Sequence, residues 1–557
     1  MGMSRRLAAL VSSLVLVVGL GCGTSAAVAD APQPETAAPL RFVAYNLCGN
    51  MCVADGTGAD DAHRTATVVA QAATGGWRAD YLFLEEVCRY QYDDIAAKLP
   101  AGFTGVYAER LPAGTVISGR KVCKGSAYGE AVFARGTKVG EQILTLTVGA
   151  EQEPIKSPCV KSWVQNRLTW ACTAHLYWNE AALREGNARK LTDQTRAWEA
   201  AGLPVIIGGD FNGQPGTTTT DAFYSPGTQQ GSGDMTEVDE TDGDHFPSGC
   251  TSGHCRSGEP TFHDGRKLDY IFVTSRFFRE VVGDALPQDA TVSDHRLLRG
   301  GAAWADCGAL SPGAAGLFRI DAAGLLYHYA GQAGGTLAGA CKRGYGWAPS
   351  YLTHVARQGT TLVAVDRDGV LWRYPADPAN GRYTGGTKVR AGSGFGGTET
   401  LLAPGDIDGD GQPDLVVRDR QGTLSRYPGT AAGGYGPPIA IPAAAGVPWS
   451  TYDLLFSPGD FARDAADAPD LIGRTADGAL WLLRGDGRGG FGPATQIGTD
   501  WQIYPAIAAA GDVDGDGNQD FIGRDTTGTL WFYRGDGNGG YAARSQLVTW
   551  PDGEPLF

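Results

Sequence analysis

The sequence predicts a chain of two parts, an α/β domain followed by an all-β domain built from repeats. Three observations predict this. Between Leu40 and about Trp304, short apolar runs alternate with stretches of helical spacing, as in a mixed sheet-and-helix domain. From about residue 316 a turn-and-strand element recurs at intervals of 45, 53, 56 and 50 residues, and a repeat of that length with several strands marks the blades of a β-propeller. Most of the excess among the 82 glycines falls after residue 300, where turn-rich β repeats need residues free of a side chain.

In the first part, strands are expected at Arg41 to Tyr45, Tyr81 to Leu84, Ala131 to Ala134, Thr169 to Ala174, Pro204 to Ile207 and Leu268 to Val273. Helices are expected over 61–73 and 181–200. Residues 216–262 read as a long polar insert whose acidic residues, Asp234 to Asp244, are solvated. In the second part the repeated element is Asp321 to Tyr329, Asp366 to Tyr374, Asp419 to Tyr427, Thr475 to Leu483 and Asp525 to Tyr533. Each copy is a glycine turn followed by an alternating strand.

The chain of 557 residues exceeds a single ordinary core. Its 42% hydrophobic and 19% charged residues exclude a disordered chain. A net charge of −15 excludes loose electrostatic attachment to nucleic acid or anionic membrane. It leaves room for a nuclease whose bound metal supplies the local positive charge.

Residues 1–29 read as an export signal: Arg5 and Arg6, an apolar run from Leu7 to Leu20, and Ala27-Val28-Ala29 before the cleavage point. Cys22 offers a rival lipoprotein reading, against which Gly19-Leu20-Gly21 is a poor lipobox. Residues 30–39 read as a disordered linker, 40–304 as the catalytic domain and 305–557 as the propeller. No later segment is long and apolar enough to span a membrane. The expectation is a secreted monomer. Ten cysteines remain after the signal, an even number that suits disulfides in an exported chain. Near neighbours are the plausible pairs: Cys48 with Cys52, Cys159 with Cys172, Cys250 with Cys255, and Cys307 with Cys341.

The chemistry lies at the ends of the expected strands, where α/β enzymes gather their sites. In order come Asn46, Glu85-Glu86, Glu130, His175, Asp210 and Asn212, Asp269, and Ser293-Asp294-His295. These types suit phosphodiester hydrolysis. Asn46, Glu86 and Asp294 offer oxygen ligands for a hard divalent cation, Mg2+ or else Ca2+ or Mn2+. Two histidine–carboxylate pairs are available, His295 with Asp269 and His175 with Glu130. One can activate water and the other protonate the leaving oxygen, while Asp210 and Asn212 orient water or phosphate. Glu85 reads as a solvated neighbour. Arg167 reads either as a phosphate contact or as a surface-strand residue, and Tyr128 as a stacking or packing residue.

This ordered set resembles the DNase I-like endonuclease/exonuclease/phosphatase superfamily over residues 40 to about 300. The resemblance implies a four-layer sandwich of two β-sheets flanked by helices. It also implies metal binding by Asn46 and Glu86, paired roles for His175 and His295, and matches at Asp210, Asn212 and Asp269. Two departures stand out. The family usually has Gln before the metal-binding Glu, whereas Glu85 stands here and adds charge beside the metal. Many members lack the acid at Glu130, which secreted DNases resembling this sequence share.

In the insert, His245, Cys250, His254 and Cys255 suggest zinc superficially, but a Cys250–Cys255 disulfide suits an exported chain better. In the repeats, Asp406, Asp408, Asp410 and Asp414 match a calcium loop, as do Asp512, Asp514, Asp516, Asn518 and Asp520. Neither has the glutamate that would complete an EF-hand, and a strand follows each. These loops resemble the FG-GAP/VCBS repeats of integrin-like propellers, which implies Ca2+. Asp460 to Asp470 is a degenerate copy. The Arg-Gly-Asp tripeptides at Arg484 and Arg534 read as turns. Trp372, Trp481 and Trp531 read as blade packing more than as sugar platforms.

The function expected is metal-dependent phosphodiester hydrolysis by an extracellular endonuclease acting on DNA or RNA. The propeller is expected to meet a cell-surface glycan or protein. Alternatives are a sphingomyelinase-type phospholipase C, against which no aromatic wedge is visible in the first domain, a sugar- or inositol-phosphate phosphatase, and a non-catalytic binding protein.

Overall fold

The computed structural model describes residues 39–49, 61–550 and 554–557, apart from single positions 166, 230, 252, 257, 312, 323, 349 and 465. The expected export signal, the linker as far as residue 38, and Cys52 lie outside the described residues.

Twelve strands build the two large sheets of the first part. They are β1 (Leu40–Asn46), β2 (Tyr81–Cys88), β3 (Phe103–Leu111), β4 (Tyr128–Arg135), β5 (Thr137–Thr145), β6 (Lys156–Val164), β7 (Arg167–His175), β8 (Val205–Asp210), β9 (Met235–Glu237), β10 (Asp269–Thr274), β11 (Phe278–Ala285) and β12 (Leu298–Trp304). The helices are α1 (Asp61–Ala72), α2 (Arg89–Lys98) and α3 (Ala181–Ala200). One sheet runs β11-β12-β1-β2-β4-β3 and the other β9-β10-β8-β7-β6-β5. Only β1–β2 and β7–β8 pair in parallel within these sheets. In both parallel pairs the crossover contains a helix, α1 or α3, as parallel pairing requires.

Successive side chains on a strand point to opposite faces, so each central strand feeds two cores. Phe42, Phe83, Val132, Ile206 and Ile271 meet between the two sheets. Val43, Leu82 and Leu84 turn the other way, onto Val68 of α1 and Ile95 of α2. Ile207, Tyr270 and Phe272 turn onto Ala188, Leu191 and Trp198 of α3. Helices, sheet, sheet and helix therefore stack in four layers. Covering on both faces explains why β1 reads as an apolar run rather than an alternating one.

Several expectations need correction. The helix α2 was not anticipated, because only Gln91 and Ile95 of its ten residues are buried and no stripe is visible. Glu237, Asp239 and Glu240 of the insert are buried, not solvated. The insert lays β9 against β10 and closes Lys267 over Glu237 and Asp239. Cysteine pairs 159–172, 250–255 and 307–341 form as expected, and Cys88 bridges Cys123 across 35 residues. Cys48 is also disulfide-bonded. The Cys88–Cys123 pair was not legible because the whole of β3 and its hairpin intervene.

The second part is five antiparallel four-stranded sheets in succession, within residues 316–345, 352–393, 398–440, 452–498 and 506–549. Neighbouring sheets share apolar cores, as Leu326 with Leu362 and Leu371 with Leu415 show. The fifth sheet packs on the first through Ile522, Leu530, Leu317 and Leu325. The repeated Asp-x-x-Gly element has a local cause. Asp366 accepts the backbone N–H of Asp368 and Val370 and the indole N–H of Trp372 at 3.0, 2.9 and 2.7 Å. Asp525 does the same for Thr527, Thr529 and Trp531. Gly369 and Gly528 take φ of 72° and 82°, which a side chain would strain. Trp372 and Trp531 thus brace these turns. Arg484 and Arg534 pair with Asp464 and Asp514, so both tripeptides are engaged within the fold.

The two parts are joined by contact as well as by chain. Cys307, just past β12, bridges Cys341 in the first repeat sheet. Lys342 Nζ donates to Pro39 O at 2.6 Å and approaches Asp80. Arg167 donates to Asp306 at 2.9 Å and stacks on Trp304. It therefore serves the junction and contacts no phosphate site.

His328 yields a pH prediction. Burial, with Arg343 and Arg357 nearby, lowers its pKa to about 3. Between that value and the unfolded value near 6.5 only the unfolded chain takes up the proton. Its stabilising contribution is full above pH 6.5 and is lost as the pH falls towards 3. Relative to His328→Phe, the parent is expected to lose about 1.4 kcal/mol per pH unit on acidification in that window, read from denaturant midpoints.

Candidate active site

The strands β1, β2, β7 and β8 end at one edge of the sandwich, where β10 begins and the loop before β12 passes. Asn46, Glu86, His175, Asp210, Asp269 and His295 converge there. They border a cleft of about 630 Å3, whose lining includes Glu86, Tyr128, His175, Asp210, Asn212, Phe262, Arg266, Asp294 and His295.

A bulge aims Glu86. Leu84 pairs with Ala131 and Val87 with Gly129, so Glu85 and Glu86 together oppose Glu130 alone. Glu86 adopts φ 54°, and its N–H donates to Glu130 Oε2 at 3.0 Å. This strained residue sends its carboxylate into the cleft and Glu85 between the sheets. Glycine permits the approach from the opposite side. A side chain at Gly208 would strike Phe83, and one at Gly209 would strike Ala174 O and Glu85.

Glu85 is thus buried, contrary to the solvated reading, and accepts the Thr173 hydroxyl. Burial pushes its pKa well above the usual carboxylate range, against the Thr173 bond. Its pocket between the sheets is one that a glutamine side chain would also fill. Glu85→Gln is expected to change unfolding free energy by less than about 1.5 kcal/mol and to leave hydrolysis near the parent rate, checked by denaturant titration and initial rates.

Asn46 Nδ2 donates to Glu86 Oε1 at 3.3 Å and to Asp210 Oδ2 at 3.2 Å. Asp210 Oδ1 accepts the N–H of Asn212 at 2.8 Å. His295 Nδ1 lies 2.8 Å from Asp269 Oδ2, and His175 Nδ1 lies 3.1 Å from Glu130 Oε1. The free Nε2 atoms of both rings face Asp210 Oδ2, at 3.6 Å for His295 and 3.9 Å for His175. Burial opposes charge on both rings, but the carboxylates outweigh it. Glu130 and Asp210 raise His175 to about 9, and Asp269 and Asp210 raise His295 to about 10.

Arg110, Thr261, Trp178 and Ile117 were not singled out in the sequence, where Ser293 stood only as part of Ser293-Asp294-His295. Arg110 is buried and donates to Glu130 at 2.6 Å and to Glu153 at 2.8 Å, holding Glu130 for His175. The Ser293 hydroxyl donates to Asn46 O at 2.6 Å and accepts the His295 N–H at 3.0 Å, which ties the last loop to β1. Thr261 Oγ1 accepts the N–H groups of Leu268 and Asp269, both at 2.9 Å. Trp178 and Ile117 edge the cleft with 57% and 42% of their surface exposed. This corrects the reading that no aromatic stands out in the first domain. No spacing signals Arg110, whose partners Glu130 and Glu153 lie 20 and 43 residues further along the chain.

A hard divalent cation fits this donor set. The Asn46 amide N–H groups reach the carboxylates of both Glu86 and Asp210, while its Oδ1 accepts the Cys48 N–H at 2.9 Å, and Asp294 lines the same cleft, so three carboxylates gather there. One ligand atom each from Asp210, Asp269 and His295 also lies within 4.8 Å of the others. In the repeats the same holds for Asp406, Asp408 and Asp414, and for Asp512, Asp514 and Asp520. Asp410 and Asp516 fall outside those two closest groupings.

Two stacked sheets with paired histidines and carboxylates at one edge define the class by architecture, a four-layer α/β sandwich. Residues 43–295 match the model of the Endonuclease/Exonuclease/phosphatase family. Its members are usually phosphoester hydrolases. Among solved structures, the human nocturnin catalytic domain with bound sulfate is 18% identical, with 48% of this chain and 94% of that chain covered and a TM-score of 0.37. A mannosyl-6-phosphatase from Bacteroides thetaiotaomicron is 18% identical over 47% and 99%, with a TM-score of 0.35. Truncated TDP2 from Caenorhabditis elegans is 14% identical over 47% and 96%, with a TM-score of 0.34. No curated protein matches the chain.

Proposed function

We propose that residues 40–304 form a divalent-metal-dependent phosphodiesterase whose preferred substrate is DNA. The observation that carries this reading is the pair of buried imidazoles, each oriented by its own carboxylate, with both Nε2 atoms directed at one cleft. With a bound cation lowering the pKa of both rings, one would take the proton of the attacking water and the other would deliver a proton to the leaving oxygen. Asp269 and Glu130 fix the tautomers and support the charged rings. Asn46, Glu86 and Asp294 hold Mg2+, Ca2+ or Mn2+, which stabilises the charge developing on the phosphoryl group. Asp210 and Asn212 orient water or phosphate between the rings. The Glu130–His175 pair favours a nuclease over a small-ester phosphatase.

A second reading, a phospholipase C acting on a choline-type headgroup, is favoured by the exposed apolar rim of Val116, Ile117 and Trp178. For the second part we propose a five-bladed propeller of FG-GAP/VCBS type with Ca2+ in the loops around Asp406 and Asp512, meeting a surface glycan or protein. The disulfides support export, and no helix among the described residues is long and apolar enough to cross a membrane.

The test incubates the chain with plasmid DNA, RNA or sphingomyelin vesicles, in magnesium plus calcium or in EDTA. Metal-dependent nicking of plasmid establishes the nuclease. Headgroup release with intact DNA moves the assignment to the phospholipase, and silence on all three overturns both.

A further inference from the structure

The buried insert holds a second concentration of acids, away from the cleft. Glu237, Asp239, Glu240, Asp242, Glu259 and Asp284 face inwards between the insert, β10 and β11. Most are answered. Lys267 Nζ lies against Asp239 and 3.4 Å from Glu237. Glu240 meets His254 Nδ1 at 2.9 Å and the N–H of Glu237 at 3.0 Å. Asp242 meets His245 Nδ1 at 2.9 Å, and Glu259 accepts the N–H of Ala285 at 3.1 Å.

Asp284 is the exception. It is 2% exposed, and neither carboxylate oxygen has a hydrogen-bond partner. Asp239 Oδ1 is also buried without one. Beyond burial, the groups acting most on Asp284 are Glu259, close enough to hydrogen-bond it if the two share a proton, then Asp239 and Asp242, all acids. Arg299 stands opposite Asp284 in the sheet, but its guanidinium donates to Gln71 at 2.8 and 3.0 Å. A buried carboxylate among carboxylates requires either a shared proton or a cation. The geometry offers a cation its place. One ligand atom each of Asp242, His245 and Glu259 lies within 4.8 Å of the others. The side chains of Asp242 and His245 are 24% and 35% exposed, which leaves an entrance from solvent.

We propose that Asp242, His245, Glu259 and Asp284 bind a divalent cation at a site separate from the catalytic cleft and from the repeat loops. The ion would clamp the insert to β11 and, through Asp239 and Lys267, steady the approach to Asp269. As expected, the cysteines of this region pair with each other, while His245 turns to Asp242 and Glu259 of the insert. Three carboxylates alone suit Ca2+, whereas Zn2+ would depend on the imidazole.

The test strips the full chain with chelator and counts equivalents of Ca2+, Mn2+ or Zn2+ bound, by calorimetry and elemental analysis. The parent is expected to bind one equivalent more than Asp284→Asn and than Asp242→Asn. Its melting temperature should also rise further on metal addition than theirs. His245→Ala, partly exposed and tolerant of change, covers a failure of Asp284→Asn to fold. An extra equivalent that the parent takes up as Zn2+ and His245→Ala loses identifies zinc, whereas one that the parent takes up as Ca2+ and His245→Ala retains identifies calcium. Equal stoichiometry in parent and all variants overturns the proposal. So does an Asp284→Asn variant more stable than the parent both with and without metal, which marks a shared proton instead. Catalysis enters none of these readouts, so failure of the phosphodiesterase reading leaves them intact.

Discussion

His295→Ala is expected to lower metal-dependent phosphodiester hydrolysis by about 10²- to 10⁴-fold, the range that a positioned acid or base supplies. The loss should fall on kcat, because the ring meets the reacting atoms and adds little to binding of the rest of a polymeric substrate. His295 Nδ1 is committed to Asp269 at 2.8 Å, which leaves Nε2 as the reactive atom. Asp269→Asn keeps the shape but replaces a carboxylate with an amide that can present a donor to the ring. It should therefore lose much of the same activity while staying folded. His175→Ala should resemble His295→Ala, and the double variant should fall well short of the product of the two losses, because both rings act in one proton-transfer sequence. Initial rates on plasmid, with circular dichroism as a folding control, check all four variants. An unchanged rate for His295→Ala would remove the proposed chemistry altogether.

Asp520→Ala is expected to cause the largest loss of stability in the repeats. The Asp520 side chain is fully buried and accepts the N–H of Val513 at 2.8 Å and of Gly535 at 2.9 Å. Truncation strands two buried donors at about 1–3 kcal/mol each. It also removes one of three carboxylates that converge with Asp512 and Asp514. A bound Ca2+ adds stability that chelation removes by mass action. EGTA should therefore lower the melting temperature of the parent clearly and that of Asp520→Ala only slightly. The equivalent variant of the partner loop, Asp414→Ala, should behave alike, since Asp414 accepts the N–H of Ile407 and Gly429 in the same manner. Equal EGTA responses in parent and both variants would remove Ca2+ from these loops.

The periodicity of the chain by itself determined the division into an α/β part and a repeat part. It also located most of the central strands and the helices α1 and α3. Such elements follow from local rules: an apolar run for a doubly covered strand, a stripe for a helix, an aspartate and a glycine for a tight turn. The positions of Asn46, Glu86, His175, Asp210, Asp269 and His295 were legible for a related reason, because polar residues interrupt apolar strands only at their ends. Tertiary structure alone decided how those residues act. The bulge that turns Glu86 towards the cleft also buries Glu85 between the sheets, so that two adjacent and chemically equal residues come to face different surroundings. Arg110, Ser293 and Thr261 became parts of the site only when distant strands met. The acids of the insert looked solvated because a charged residue carries no local mark of the partner that will cover it. Burial of a charge is decided by what folds over it, and for Asp239 that partner, Lys267, lies 28 residues further along the chain.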